Sequence, residues 1–135
     1  MVDSLGQTIG RVMGFNASNF QVLTTAGYVI SINYDGTFPI SQIRWTGAGC
    51  TGTPYFNGTG TRFARSVVYS GAANGLYMAA NATSNGVATA TTAVMSTIEN
   101  PTCMSGSGTQ NGFLLTPVTQ TGIGLPATIT APFTF

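Results

Sequence analysis

Few side chains in this sequence could carry out chemistry, and they are two cysteines and three acids. The cysteines are Cys50 and Cys103, and the acids are Asp3, Asp35 and Glu99. The chain has no histidine, and its four basic residues are all arginines. A serine or cysteine nucleophile needs an adjacent base, and only a carboxylate could provide one here. The residue types therefore argue against nucleophilic catalysis.

The three acids are too far apart in sequence to suggest a catalytic pair. Two of them could meet in the fold and form a glycosidase-like pair of carboxylates, but acids so widely separated are more typical of turns and surfaces. Two thiolates without histidine do not complete a tetrahedral zinc site. A calcium site with several carboxylates is disfavoured, whereas one carboxylate with backbone carbonyls stays possible. We predict no enzyme, no metal and no cofactor.

The cysteines are instead expected to be structural. An even number of cysteines in a chain so poor in charge favours a disulfide between Cys50 and Cys103. Closing a loop of 53 residues would stabilise the fold by about 4 kcal/mol in the chain-entropy account. The alternative is two unpaired, buried cysteines.

The composition narrows the possible partners. Charged residues make up 5% of the 135 residues, and the net charge is +1. Surfaces with so little charge tend to associate, so we expect a homo-oligomer. Four arginines offset by three acids cannot form a phosphate-binding stripe, which disfavours nucleic acid. No apolar stretch is long enough for a membrane helix, and no signal peptide is visible, so no membrane insertion is expected.

The pattern of apolar residues predicts an all-β fold, either an antiparallel sandwich or a compact barrel built from meanders. Alternation over Tyr28–Tyr34 indicates a strand, and Asp35-Gly36 suggests a hairpin turn that would pair it with Phe38–Trp45. We expect one β domain over 1–135. It would contain a meander over 1–56, a long loop over 47–62 and a second β half over 63–135, with a further polar loop over 105–111.

Candidate contact residues follow from this arrangement. Ile43 and Trp45 share one face of their strand, so Trp45 is expected in the core and Arg44 at the surface. Arg44, Tyr55 and Phe56 lie on or beside the long loop, where they could bind a host-surface glycan or protein. Apolar residues in the C-terminal third could instead form an oligomer interface, namely Phe113, Leu115, Ile129, Phe133 and Phe135.

Several short motifs together resemble a known kind of domain. They are Ile9-Gly10-Arg11-Val12-Met13-Gly14-Phe15, Asp35-Gly36, Cys50-Thr51-Gly52-Thr53-Pro54-Tyr55, Cys103 and the terminal Pro132-Phe133. In this order they resemble the C-terminal β domains of bacterial extracellular and collagen-like proteins and of phage tail-fibre-like proteins. The resemblance implies an extracellular or virion location and an oligomeric, adhesive setting, with a homotrimer favoured. Neither a collagen repeat nor a heptad stalk is present in the sequence.

Two functions are therefore predicted. The first is a non-enzymatic structural and attachment module of an extracellular fibre or phage tail, which contacts a surface ligand through its loops. The second is a self-assembling subunit of a surface filament or virion coat that binds only copies of itself.

Overall fold

The computed structural model of the chain describes all residues from Met1 to Phe135. Its structure is all-β, antiparallel and sandwich-like, which confirms the predicted fold class. Where the sequence predicts a single domain, the chain forms two compact units. Unit 1 comprises Met1–Pro39 and Val118–Phe135, and unit 2 comprises Ile40–Pro117.

Unit 1 contains a three-stranded antiparallel sheet in the order β1-β2-β3. Its core face follows the period of two expected of a half-buried strand. Phe20 and Val22 of β2 are fully buried, and so is Ile32 of β3. The strands are β1 (Arg11–Phe15), β2 (Asn19–Leu23) and β3 (Val29–Asn33).

The end of the chain packs into unit 1 without forming a strand. Ile123 and Leu125 are buried, and Val2 forms an isolated antiparallel bridge with Thr134. The turn after β3 lies against this segment, because a Cβ at Gly36 would be only 3.0 Å from the carbonyl oxygen of Ile129. Gly36 also has a φ of 92°. A turn does form here, but the N–H of Gly36 donates to the carbonyl of Asn33, so that Tyr34 and Asp35 are its central residues. The positive φ of Gly36 after them favours glycine.

Unit 2 contains the remaining strands, arranged mainly in a six-stranded sheet of order β10-β4-β5-β11-β8-β7. Strands β10 and β11 also pair with each other, so β4, β5, β11 and β10 form a closed ring of pairings. A separate pair is formed by β6 and β9. The strands are β4 (Ile43–Gly47), β5 (Thr51–Asn57), β6 (Thr61–Phe63), β7 (Val68–Ser70), β8 (Gly75–Ala79), β9 (Val87–Thr89), β10 (Thr91–Glu99) and β11 (Cys103–Val118).

Three details differ from the sequence-based predictions. The predicted hairpin between Tyr28–Tyr34 and Phe38–Trp45 is wrong, because β3 pairs only with β2 while β4 pairs with β5 and β10. The predicted loop over 47–62 consists largely of β5 and the start of β6. The Gly/Ser segment over 105–111 is part of β11.

A close approach between strands explains why a Gly-rich segment is extended here. A Cβ at Gly106 would lie 2.6 Å from the Cδ1 atom of Ile98 on the paired strand β10. Glycine therefore makes room for a large neighbour in this part of the sheet, as is usual for glycine within a strand. From composition alone, the same glycine indicates a loop.

Candidate functional site

The structure separates the three residues predicted to bind a ligand. Arg44 on β4 lies directly opposite Tyr55 on β5, so these two side chains share one face of the sheet. Both are partly exposed, and the Nε–H of Arg44 donates to Oδ1 of Asn57 at 3.1 Å. Phe56 is opposite Ile43 and lies on the other face, which is the core face. Arg44 and Tyr55 thus form one surface, and Phe56 belongs elsewhere.

Phe56 supports an arginine that the sequence did not single out as a ligand-binding residue. The guanidinium carbon of Arg62 lies 4.1 Å from the centroid of the Phe56 ring and 5.7 Å from that of Phe113. Such a contact is a cation–π interaction. Burial lowers the pKa of Arg62 from its ordinary value, because the charged form loses water.

The residues expected at an oligomer interface occupy different places. Phe113 and Leu115 are 3% and 6% exposed and lie in the core clusters of unit 2. Ile129 is partly buried in unit 1. Phe133 packs edge-on against Phe20, with ring centroids 5.0 Å apart. Of the five residues, only Phe135 is strongly exposed.

Phe135 belongs to an apolar groove on unit 1, which we call the aromatic groove. Its lining residues are Val12, Phe15, Tyr34 and Phe135, and its volume is about 480 Å³. Phe15 is 80% exposed and Phe135 is 73% exposed. The ring of Phe135 packs edge-on against the ring of Phe20, with centroids 5.8 Å apart. Large apolar surfaces that remain exposed commonly mark sites of interaction.

Asp3 is buried in unit 1, contrary to the expectation of a turn or surface position. Its oxygens accept hydrogen bonds from the backbone N–H groups of Leu5, Gln7 and Thr130 and from the side chain of Gln7. Burial alone would raise the pKa of Asp3, but these hydrogen bonds outweigh that effect and hold the pKa below its ordinary value. The carboxylate thereby ties both ends of the chain together.

Glu99 is a second correction, since it is fully buried in unit 2. Its Oε1 accepts hydrogen bonds from Nε1 of Trp45 at 3.3 Å and from Oγ of Ser70 at 2.7 Å. Its Oε2 accepts one from the backbone N–H of Ala72 at 2.9 Å. These contacts fix the turn after β7 against the core. The prediction that Trp45 is a core residue is confirmed, as it is 4% exposed.

The predicted disulfide between Cys50 and Cys103 is confirmed. Cys50 is buried, whereas Cys103 is exposed. The bond lies beside the Glu99 network, because Cys103 is the cross-strand partner of Glu99. Thr97 completes this region: its Oγ1 donates to the carbonyl of Gly47 and accepts from the N–H of Cys50. The arrangement is a cross-linked, hydrogen-bonded core.

Glu99 and Asp35 are both engaged by hydrogen bonds within the protein. Both oxygens of Glu99 already accept hydrogen bonds from the protein, and Asp35 caps its own turn by accepting from the N–H of Thr37 at 3.0 Å. No three cysteine or acidic side chains lie close enough together to hold a metal ion. What this arrangement does chemically is to stabilise turns and strands.

Two features were missed in the sequence, and only one of them, the burial of Glu99, could have been found there. Glu99 continues the alternation of Met95 and Thr97, so a period of two places it on the buried face. Arg62 follows a Gly-Thr-Gly-Thr segment and offered no comparable signal, because its aromatic partner Phe113 is distant in sequence.

Comparisons with protein-family models, curated proteins and solved structures found no match. The resemblance to extracellular and tail-fibre-like β domains therefore stays a prediction. None of the secondary structure is a helix that could cross a membrane.

Proposed function

We propose that this protein is a non-enzymatic structural and attachment module of an extracellular fibre or phage tail. In this proposal the chain assembles as a homo-oligomer, with a trimer favoured, through the aromatic groove of unit 1. It contacts a surface ligand, a glycan or a protein, through the exposed residues of unit 2.

The observation that carries the proposal is the exposure of the aromatic groove. Phe15 and Phe135 leave most of their ring surface in contact with water, although burying such a ring is worth about 1.5–3 kcal/mol. Met13 and Leu5 of the same unit are also more than half exposed. A second copy of the chain that covered these side chains would recover the free energy their exposure costs.

Two further features are compatible with this setting. A disulfide is typical of proteins that work in an oxidising environment, and an extracellular or virion protein is one such case. Unit 2 presents Arg44 and Tyr55 side by side on a sheet face, where an arginine and a tyrosine are frequent contact residues.

The alternative, a subunit that only polymerises with itself, has one observation in its favour. The sheet of unit 1 ends in β1 on one side and β3 on the other, and neither pairs with a further strand. Open sheet edges can add strands from other copies, and a contact that does not close by symmetry produces a filament.

Sedimentation equilibrium of the wild-type chain over a range of concentrations tests both ideas. A closed oligomer of about three times the 13.9 kDa chain mass would support the attachment module. Open-ended growth with concentration would reject it in favour of the polymer. A monomer at every concentration would reject both.

A further inference from the structure

Unit 2 has more basic than acidic side chains. Its ionisable residues of fixed charge are three arginines and a single acid. That acid, Glu99, is fully buried, and its hydrogen bonds go to Trp45, Ser70 and Ala72. The exposed surface of unit 2 thus has arginines and no carboxylate.

Arg62 is the arginine whose environment most favours an external partner. Its guanidinium lies over Phe56 and near Phe113, and no acceptor group of the protein pairs with it. Its nitrogens reach solvent, since the structure has no buried polar side-chain atom without a partner. One face of the cation is covered by aromatic carbon, and its N–H groups remain free to donate outward.

This arrangement favours the binding of an anion by the guanidinium of Arg62. The aromatic rings fix its plane, so less conformational entropy is lost when a ligand binds. Partial burial also removes water from the charge, as the lowered pKa of Arg62 reflects, yet an arginine stays protonated at neutral pH. A planar cation held in this way suits an oxyanion that accepts two parallel hydrogen bonds.

The surroundings of Arg62 are polar and uncharged. The residues before it are Asn57 at the end of β5, the connection Gly58-Thr59-Gly60 and Thr61 at the start of β6, and they offer hydroxyl and amide groups. Arg44 reaches the same segment through its hydrogen bond to Asn57. Hydroxyl and amide groups around an arginine fit a sugar chain that carries acidic groups. Three arginines are too few for the row of phosphate contacts on which nucleic-acid affinity depends.

We propose that Arg62 is an anion-binding residue that holds a carboxylate or sulfate group of an acidic polysaccharide. The inference rests on the proposed function, in which unit 2 contacts a surface ligand, and it specifies the chemistry of that ligand. In this proposal Phe56, which was predicted to bind the ligand itself, acts indirectly by packing against the guanidinium of Arg62.

The test measures binding of four polymers to the full chain by calorimetry at low ionic strength. The polymers are dextran sulfate, polygalacturonate, uncharged dextran and single-stranded oligothymidylate. Wild type should bind at least one of the two acidic polysaccharides about tenfold or more tightly than dextran, and added salt should weaken this binding. The stronger of the two identifies sulfate or carboxylate as the preferred group.

Arg62→Gln should weaken binding of the acidic polysaccharide by about tenfold, and Arg62→Lys should restore part of it, because a lysine keeps the charge but not the planar pair of donors. The matched control is Arg11→Gln, an exposed arginine of unit 1, which should bind like wild type. Since Arg62→Gln could perturb the core, the shift of the Arg62 Nε–H resonance of wild type is recorded during the titration. It should move when the acidic polymer binds.

Three results would overturn the assignment. They are unchanged binding by a folded Arg62→Gln variant, an Arg62 resonance that does not move at saturation, and binding of oligothymidylate in preference to both acidic polysaccharides. A wild-type chain that is monomeric yet binds the polymer through Arg62 would reject the proposed assembly and keep this inference, so the two failures are distinguishable.

Discussion

The two units of this chain each bury one carboxylate, and they use it in opposite settings. In unit 1, Asp3 joins the two ends of the chain through backbone N–H groups, and the rings of Phe15 and Phe135 are largely exposed. In unit 2, Glu99 is enclosed with the only tryptophan and lies beside the disulfide. The two most exposed aromatic rings of the chain are thus in unit 1, whereas the tryptophan of unit 2 is buried.

The two units also differ in their numbers of acidic and basic residues. Unit 1 holds two acids and one arginine, whereas unit 2 holds three arginines and one buried acid. The two most exposed aromatic rings, Phe15 and Phe135, are on the unit with little basic charge, and Arg62 is on the unit with the disulfide-linked core. In the proposed function, assembly and ligand contact therefore use surfaces of different units.

The largest effect is expected from emptying the carboxylate site of unit 2. Glu99→Ala would leave the N–H of Trp45, the hydroxyl of Ser70 and the N–H of Ala72 buried without an acceptor. Each unsatisfied donor costs about 1–3 kcal/mol, so we expect the free energy of unfolding to fall by about 3–5 kcal/mol in urea titrations.

Two other variants make this prediction specific. Glu99→Gln keeps the volume and one oxygen acceptor, so its loss should be smaller than that of Glu99→Ala. Asp35→Ala removes an exposed acid from a turn in unit 1 and should change stability far less. If Glu99→Ala unfolded as wild type does, the hydrogen bonds to Glu99 would have no energetic role.

Removing the disulfide should have the next largest effect, confined to unit 2. The double variant Cys50→Ser, Cys103→Ser opens a loop of 53 residues and should lower the free energy of unfolding by about 2–4 kcal/mol. Hydrogen exchange should quicken in β4 and β10 more than in β2. An equal increase of the exchange rates in both units would contradict this prediction and would mean that they unfold cooperatively.

A smaller, pH-dependent effect is expected from Asp3 in unit 1. Its pKa in the folded protein lies below its ordinary value of 3.8, so the carboxylate contributes stability above the unfolded pKa. That contribution is lost as the pH falls through the lower, folded pKa. Asp3→Asn should therefore reduce stability at neutral pH, and its unfolding curve should approach that of wild type in acid. A constant difference at all pH values would contradict this role.

The sequence predicts the fold class and the disulfide because both depend on patterns that are local or countable. Alternation identifies β3, and two cysteines allow a single intrachain pair. The pairing of β4 could not be predicted, since a turn does follow β3 but the next strand belongs to the other unit. Strand β11 was obscured because it is rich in glycine, of which Gly106 reflects the size of Ile98 on the neighbouring strand.

The candidate site shows the same limit. Arg44 and Tyr55 share a face because of the register between β4 and β5, which no local pattern fixes. Arg62 and Phe113 meet only through the tertiary fold. The exposure of Phe15 could not be predicted either, because residue type alone favours a core position for every aromatic side chain.

The most direct test of the division between the units is sedimentation equilibrium of Phe15→Ser and Phe135→Ser, with Arg62→Gln as the control from unit 2. Both phenylalanines are mostly exposed, so these substitutions should change the stability of the isolated chain by only about 0.5–1 kcal/mol. We predict that they shift the protein towards the 13.9 kDa monomer, while Arg62→Gln stays oligomeric. Phenylalanine variants that remain oligomeric, or dissociation of Arg62→Gln, would contradict the claim that unit 1 assembles the protein.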